Sequence, residues 1–204
     1  KCFRYIQIKN SPASIAASQI TGLTIRQAFD DSQSSFSSSN QMLNDIYEMT
    51  KYTVKTAAQN QYVDSQSRER KSYEGDVLVQ MMSSFSFLDD YSLPRHSLDY
   101  VVNNSTWPAE YQLYAITAAW QEYLYSGDIS YLRNNYDKLK RALYDSSYDS
   151  SLGLVRNPGK VIMVDWPYTQ RDSYEVANAA YNTAFNAVCS AAYRDLGKIA
   201  GALG

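Results

Sequence analysis

Hydrophobic and polar positions along this chain follow two regimes that meet near residue 40. Before that point the period is two. Phe3-Arg4-Tyr5-Ile6-Gln7-Ile8-Lys9 alternates, and Ile20-Thr21-Gly22-Leu23-Thr24-Ile25-Arg26-Gln27-Ala28-Phe29 alternates in part, which predicts strands over residues 3–9 and 20–29. Two strands alone are marginal, so the spacing points to the end of a β-domain that begins before the chain does. Asp30 to Ser39 is serine-rich with little apolar surface and reads as a linker. From Asn40 the period becomes helical, with Met42, Leu43, Ile46, Tyr47, Met49, Thr50 and Val54 on one stripe and Asn40 available as the N-cap. That predicts a helix of about four turns. Further helices are expected over residues 75–89, 95–103, 109–126, 130–146 and 172–197, broken by turns such as Ser126-Gly127-Asp128 and Asn157-Pro158-Gly159. The reading is mainly α. Paired helices joined by loops fit a bundle, a solenoid or a toroidal α/α barrel, and no internal repeat singles out the solenoid.

Composition narrows the function classes. At 204 residues the chain holds one main core plus a small appendage. A net charge of −2 makes no field for nucleic acid or an anionic membrane. No apolar run reaches the roughly 18 residues that span a bilayer, and Lys1-Cys2-Phe3-Arg4-Tyr5 does not open a leader-like segment. Cys2 and Cys189 lie far apart and read as two unpaired thiols. His96 is the lone histidine, so neither a metal nor another cofactor is expected, and it reads as a loop or helix-start residue. Asn103-Asn104-Ser105-Thr106 carries overlapping glycosylation sequons, which matter only in a secretory context. Compartment and oligomeric state stay open at this level. The 19 tyrosines are the compositional excess, and a phenol offers a sugar both a flat apolar face and a polar tip.

The densest polar cluster runs from Val63 to Asp76, between two predicted helices, where a rigid scaffold positions side chains that ligands can reach. A solvated loop with incidental ion pairs is the simpler alternative. Cleavage of a glycosidic bond needs a protonated carboxyl at the leaving oxygen and a second carboxylate opposite. Glu69 stands among Arg68 and Arg70, which favour its ionised form, while burial or the charges of Asp64 and Asp76 would oppose them.

The run Asp64-Ser65-Gln66-Ser67-Arg68-Glu69-Arg70-Lys71-Ser72-Tyr73-Glu74-Gly75-Asp76 resembles a signature of glycoside hydrolase family 78, the α-L-rhamnosidases. That signature reads aspartate-cysteine-proline-x-arginine-glutamate-arginine-x-glycine, then tryptophan or tyrosine, x, glycine and aspartate. Phe3-Arg4-Tyr5-Ile6 resembles the closing strand of the family's β-sandwich, and Ser38 to Tyr47 its first barrel helix. Tyr123-Leu124-Tyr125-Ser126-Gly127-Asp128 is similar to its tyrosine-x-tyrosine-threonine-glycine-aspartate turn, and Val164-Asp165-Trp166 to its glycine-aspartate-tryptophan. The matches are collinear across almost the whole chain.

The resemblance implies an (α/α)6 barrel of the six-hairpin glycosidase type that releases terminal α-L-rhamnose with inversion. Residues 1–32 would be the end of the β-sandwich plus a linker, and residues 33–204 the N-terminal half of the barrel. Glu69 matches the general acid, and Asp64, Arg68 and Asp76 match residues that hold the rhamnose hydroxyls. Tyr73, Trp166 and, with them, Trp107 or Tyr111 would wall the sugar's apolar face. The partners implied are L-rhamnose-containing glycans or glycosides. Departures from the pattern are Ser65 and Gln66 for cysteine and proline, Ser72 for glycine and Val164 for glycine, so a reshaped loop is expected. The family's general base lies far C-terminal of this motif, past Gly204. An inverting enzyme needs it about 6.5–9.5 Å from the acid, so the chain alone is expected to show little catalysis.

Glu110, Glu122 and Glu175 fall in helical stretches and read as solvated faces, Glu110 being the least implausible of them as a base. Trp120 shares a helical stripe with Leu113, Ile116 and Leu124 and reads as core. Two rivals remain: a non-catalytic sugar-binding or scaffold protein on the same helices, and another inverting α/α-barrel hydrolase, for example one acting on uronosides.

Overall fold

The computed structural model describes residues 3–65, 67–163 and 179–204. Six helices dominate: α1 (Gln41–Ala57), α2 (Glu74–Ser84), α3 (Ser92–Asn103), α4 (Tyr111–Ser126), α5 (Ser130–Arg141) and α6 (Thr183–Leu203). The mainly α class and its part-barrel arrangement hold. α4 is the hub and packs on α2, α3, α5 and α6, while α1 rests on α2. Its sequence explains the position. Leu113, Ala115, Ile116, Ala118 and Ala119 are all buried, and alanines let neighbouring axes approach closely on several sides. Trp120 is half-buried against this core.

Local chemistry sets the helix ends. Asn40 caps α1 by accepting from the Met42 amide at 3.0 Å, and Asn182 caps α6 by accepting from the Phe185 amide at 2.8 Å. Gly127 ends α4 in the left-handed region, φ 70°, where a side chain would strain the backbone. α3 starts at Ser92, ahead of the expected residue 95, because Pro94 sits in the first turn, where its missing N–H costs no helical bond. α5 stops at Arg141 and not at 146, since the chain turns to send the Tyr144 hydroxyl into the core, donating to the Ala109 carbonyl at 2.8 Å. α2 ends at Ser84, short of the expected residue 89, in a turn through Phe87. The 172–178 part of the expected last helix lies outside the described residues.

The predicted N-terminal strands are corrected. Residues 3–9 and 20–29 form no ladder among the described residues and are mostly exposed; the Gln27 amide donates to the Ala58 carbonyl at 2.8 Å and ties the second segment to the end of α1. Alternation supplies a face but not the neighbouring edge that strand hydrogen bonds need. The two short strands lie elsewhere, β1 (Tyr148–Asp149) pairing antiparallel with β2 (Leu154–Val155) beside α6.

Two glutamates expected on solvated faces are buried. Glu122 is fully buried because Arg95 of α3 reaches it, Nε donating to Oε1 at 3.0 Å, while Nη1 of the same guanidinium donates to Asp128 at 2.8 Å. This pins α3 to α4 and to the α4–α5 turn. Glu110, 2% exposed, accepts from the Met163 amide at 2.7 Å. Glu175 lies outside the described residues. His96 is an exposed residue near the start of α3. Cys189 is a free, buried thiol pushed up to about 12 by burial, and Cys2 lies outside the described residues. Among the described residues no helix is long and apolar enough to cross a membrane.

Candidate active site

The polar loop between α1 and α2 is held at both ends. At its start, Tyr62 is buried, its amide donating to Ser97 Oγ at 3.0 Å and its hydroxyl to Ser84 Oγ at 2.6 Å. At its end, Ser72 is also buried and donates to the Tyr62 carbonyl at 2.6 Å. The serine that departs from the glycine pattern therefore laces the loop closed. Between them the Gln80 side chain donates from Nε2 to the Val63 carbonyl at 2.7 Å, and Arg70, at φ 47°, donates its backbone N–H to the Ser65 carbonyl at 2.9 Å. A non-glycine residue with positive φ is costly and is kept only where its surroundings enforce it.

A second segment, residues 104–110, faces this loop. Glu74, the first residue of α2, is fully buried; its Oε1 accepts from the Thr106 amide at 2.8 Å and its Oε2 from the Thr106 hydroxyl. This bridge sets Trp107 opposite the loop. Gly75 then allows close approach: a Cβ there would stand 3.2 Å from the Tyr111 ring. Tyr73 meets Tyr111 edge to face, centroids 6.4 Å apart.

Between the two segments lies a cavity of about 310 Å³ lined by Asp64, Arg68, Glu69, Tyr73, Asp76, Trp107, Tyr111, Pro108 and Met163. It gathers the acid candidate and all of the sugar-binding candidates except Trp166, which lies outside the described residues. Trp107, 53% exposed, leaves its ring face open, as stacking requires. The cavity thus pairs carboxylates with aromatic faces, the combination that suits a hydroxylated ring with an apolar side. Among the described residues no cluster of histidine, cysteine or carboxylate side chains could hold a metal.

The electrostatics divide the carboxylates. Burial raises the Asp76 carboxyl to about 6, and the nearby charges of Asp64, Glu69 and Glu74 push the same way. Glu69 is ion-paired with Arg68, whose side chain is 80% exposed against 17% for the glutamate. An ion pair with so exposed a partner is easily exchanged for a ligand. Burial also raises Tyr111 to about 12, helped by the charge of Asp76. Reasoning from sequence missed Glu74 and Thr106; glutamate at the start of α2 is an ordinary N-terminal preference, and nothing local signals that its side chain turns inward.

The family described as the bacterial alpha-L-rhamnosidase 6 hairpin glycosidase domain matches residues 31–204. No curated protein matches the chain. Among solved structures, the fold is similar to the crystal structure of a glycoside hydrolase family 78 rhamnosidase of Bacillus sp. GL1, with a TM-score of 0.75 at 19% identity over 87% of this chain and 20% of that one. The chain therefore spans about a fifth of that protein's length.

Proposed function

This chain belongs to the bacterial alpha-L-rhamnosidase 6 hairpin glycosidase domain family, and on that premise we propose that its cavity is the general-acid side of an inverting active site acting on terminal α-L-rhamnosyl groups. Glu69 gives its proton to the leaving oxygen as the glycosidic C–O bond breaks. A general base beyond Gly204 takes a proton from the water that attacks the anomeric carbon from the opposite face. Asp64, Arg68 and Asp76 hold the sugar hydroxyls, while Tyr73, Trp107 and Tyr111, with Trp166, wall its apolar face. Residues 33–204 form the N-terminal half of the barrel of a longer protein.

One observation carries this reading: Asp64, Glu69 and Asp76, spread along a loop and the start of a helix, line one cavity with Arg68, Tyr73, Trp107 and Tyr111. The test is Glu69→Gln in the full-length protein. Turnover of an alkyl rhamnoside, whose poor leaving group depends on protonation, should fall at least about 100-fold, and an activated aryl rhamnoside should suffer less. Unchanged turnover of the alkyl substrate would remove Glu69 from the role.

A further inference from the structure

A second hollow, about 550 Å³, adjoins the first and shares Asp76, Tyr111 and Met163 with it. Tyr111, pressed on Gly75, forms the partition between the two. The added wall is mostly apolar, from Leu78, Val79 and Val188, with Tyr114 and Glu110 as its polar members. Glu110 is the unusual one. It is 2% exposed, and Oε1 accepts from the Met163 amide at 2.7 Å, whereas Oε2 is buried with no hydrogen-bond partner. Among the described residues no cation is paired with it. Burial pushes its carboxyl upward, against its own backbone N–H and the Met163 amide, which favour the charged form. A buried acceptor left unmet bears its full desolvation penalty and calls for a partner, and beside an open hollow a ligand hydroxyl can be that partner. Because Met163 borders both hollows, a carboxylate anchored on its amide sits where they join.

We propose that Glu110 Oε2 is the hydroxyl acceptor of a second sugar subsite, holding the ring attached to the one that Asp64 and Asp76 bind. The inference rests on the rhamnoside reading above. An amphipathic ring lays its apolar face on Leu78, Val79 and Val188 and donates a hydroxyl from its edge to Glu110, so the site selects glycosides whose second ring carries that hydroxyl. A ring lacking it leaves the carboxylate unpaired, which makes such a site discriminating.

The experiment measures kcat/KM of the full-length protein for a rhamnosyl disaccharide and for an aryl rhamnoside, and reads their ratio. Glu110→Gln keeps the bond to the Met163 amide but turns the second position from acceptor to donor. The ratio should fall about tenfold, equivalent to about 1.4 kcal/mol. Val79→Trp, at a side chain 66% exposed and so outside the core, should fill the hollow and lower the same ratio. A wild-type enzyme that cleaves both substrates while both variants keep its ratio overturns the second subsite and leaves the rhamnoside reading standing. A wild type that cleaves neither rhamnoside overturns that reading and this inference with it.

Discussion

Replacing Asp76 by Asn removes one charge from a crowded group of carboxylates while keeping the side chain's shape. The Asp76 carboxyl stands at about 6 in the fold against 3.8 ordinarily, from burial first and from Asp64, Glu69 and Glu74 after it. The native state therefore binds more protons than the unfolded chain between about pH 4 and 6, and stability attributable to this group falls as pH rises through that window. Below it the carboxyl is neutral in both states and carries no penalty. Above it the penalty is complete. A rise from 3.8 to about 6 corresponds to about 3 kcal/mol at most, and solvent screening at this partly exposed side chain cuts it to about 1 kcal/mol. Urea unfolding of wild type and Asp76→Asn at several pH values provides the assay. The variant should gain about 1 kcal/mol above about pH 6.5 and close to nothing below about pH 4, while rhamnoside binding weakens. A gain of equal size at both ends of the range, or a loss at the upper end, would refute the electrostatic account. Stability held back at a functional carboxylate is a common trade.

Arg95→Met strands the fully buried Glu122 without its cation, and should cost about 3–5 kcal/mol in urea unfolding, with most of it recovered in the double variant Arg95→Met/Glu122→Met. Recovery failing in the double variant would mean that the arginine acts through packing instead. Thr106→Val deletes the hydroxyl that donates to buried Glu74, and should cost about 1–3 kcal/mol. Near-ultraviolet circular dichroism of Trp107 should change with it, because the same bridge sets that loop; an unaltered tryptophan band would separate the two.

Much of the candidate site was legible because its spacing is local. Asp64, Arg68, Glu69, Tyr73 and Asp76 fall within one loop and the first turn of α2, so a short motif carries them together. Trp107 and Tyr111 come from the next interhelical segment, and the resemblance pointed to them, but their approach depends on a contact between Glu74 and Thr106, 32 residues apart. Trp166 belongs to the same implied wall and lies outside the described residues. The N-terminal alternation, by contrast, misled: an apolar period of two says which face would be buried and nothing about which edge it would pair with.

Taken alone, the amino-acid order determined what interactions within about one helical turn can decide: the Asn40 cap, the left-handed stop at Gly127, the apolar stripes, and the collinear motifs that mark a rhamnosidase-like domain. Tertiary structure decided the fate of the inward-turned glutamates. Glu122 finds Arg95 at a separation of 27 residues, and Glu110 finds the Met163 amide at 53. A carboxylate's pattern in a helix is the same whether it faces water or a partner. Burial of a charge is tolerated only where such distant donors arrive, and their arrival is a property of the packed helices.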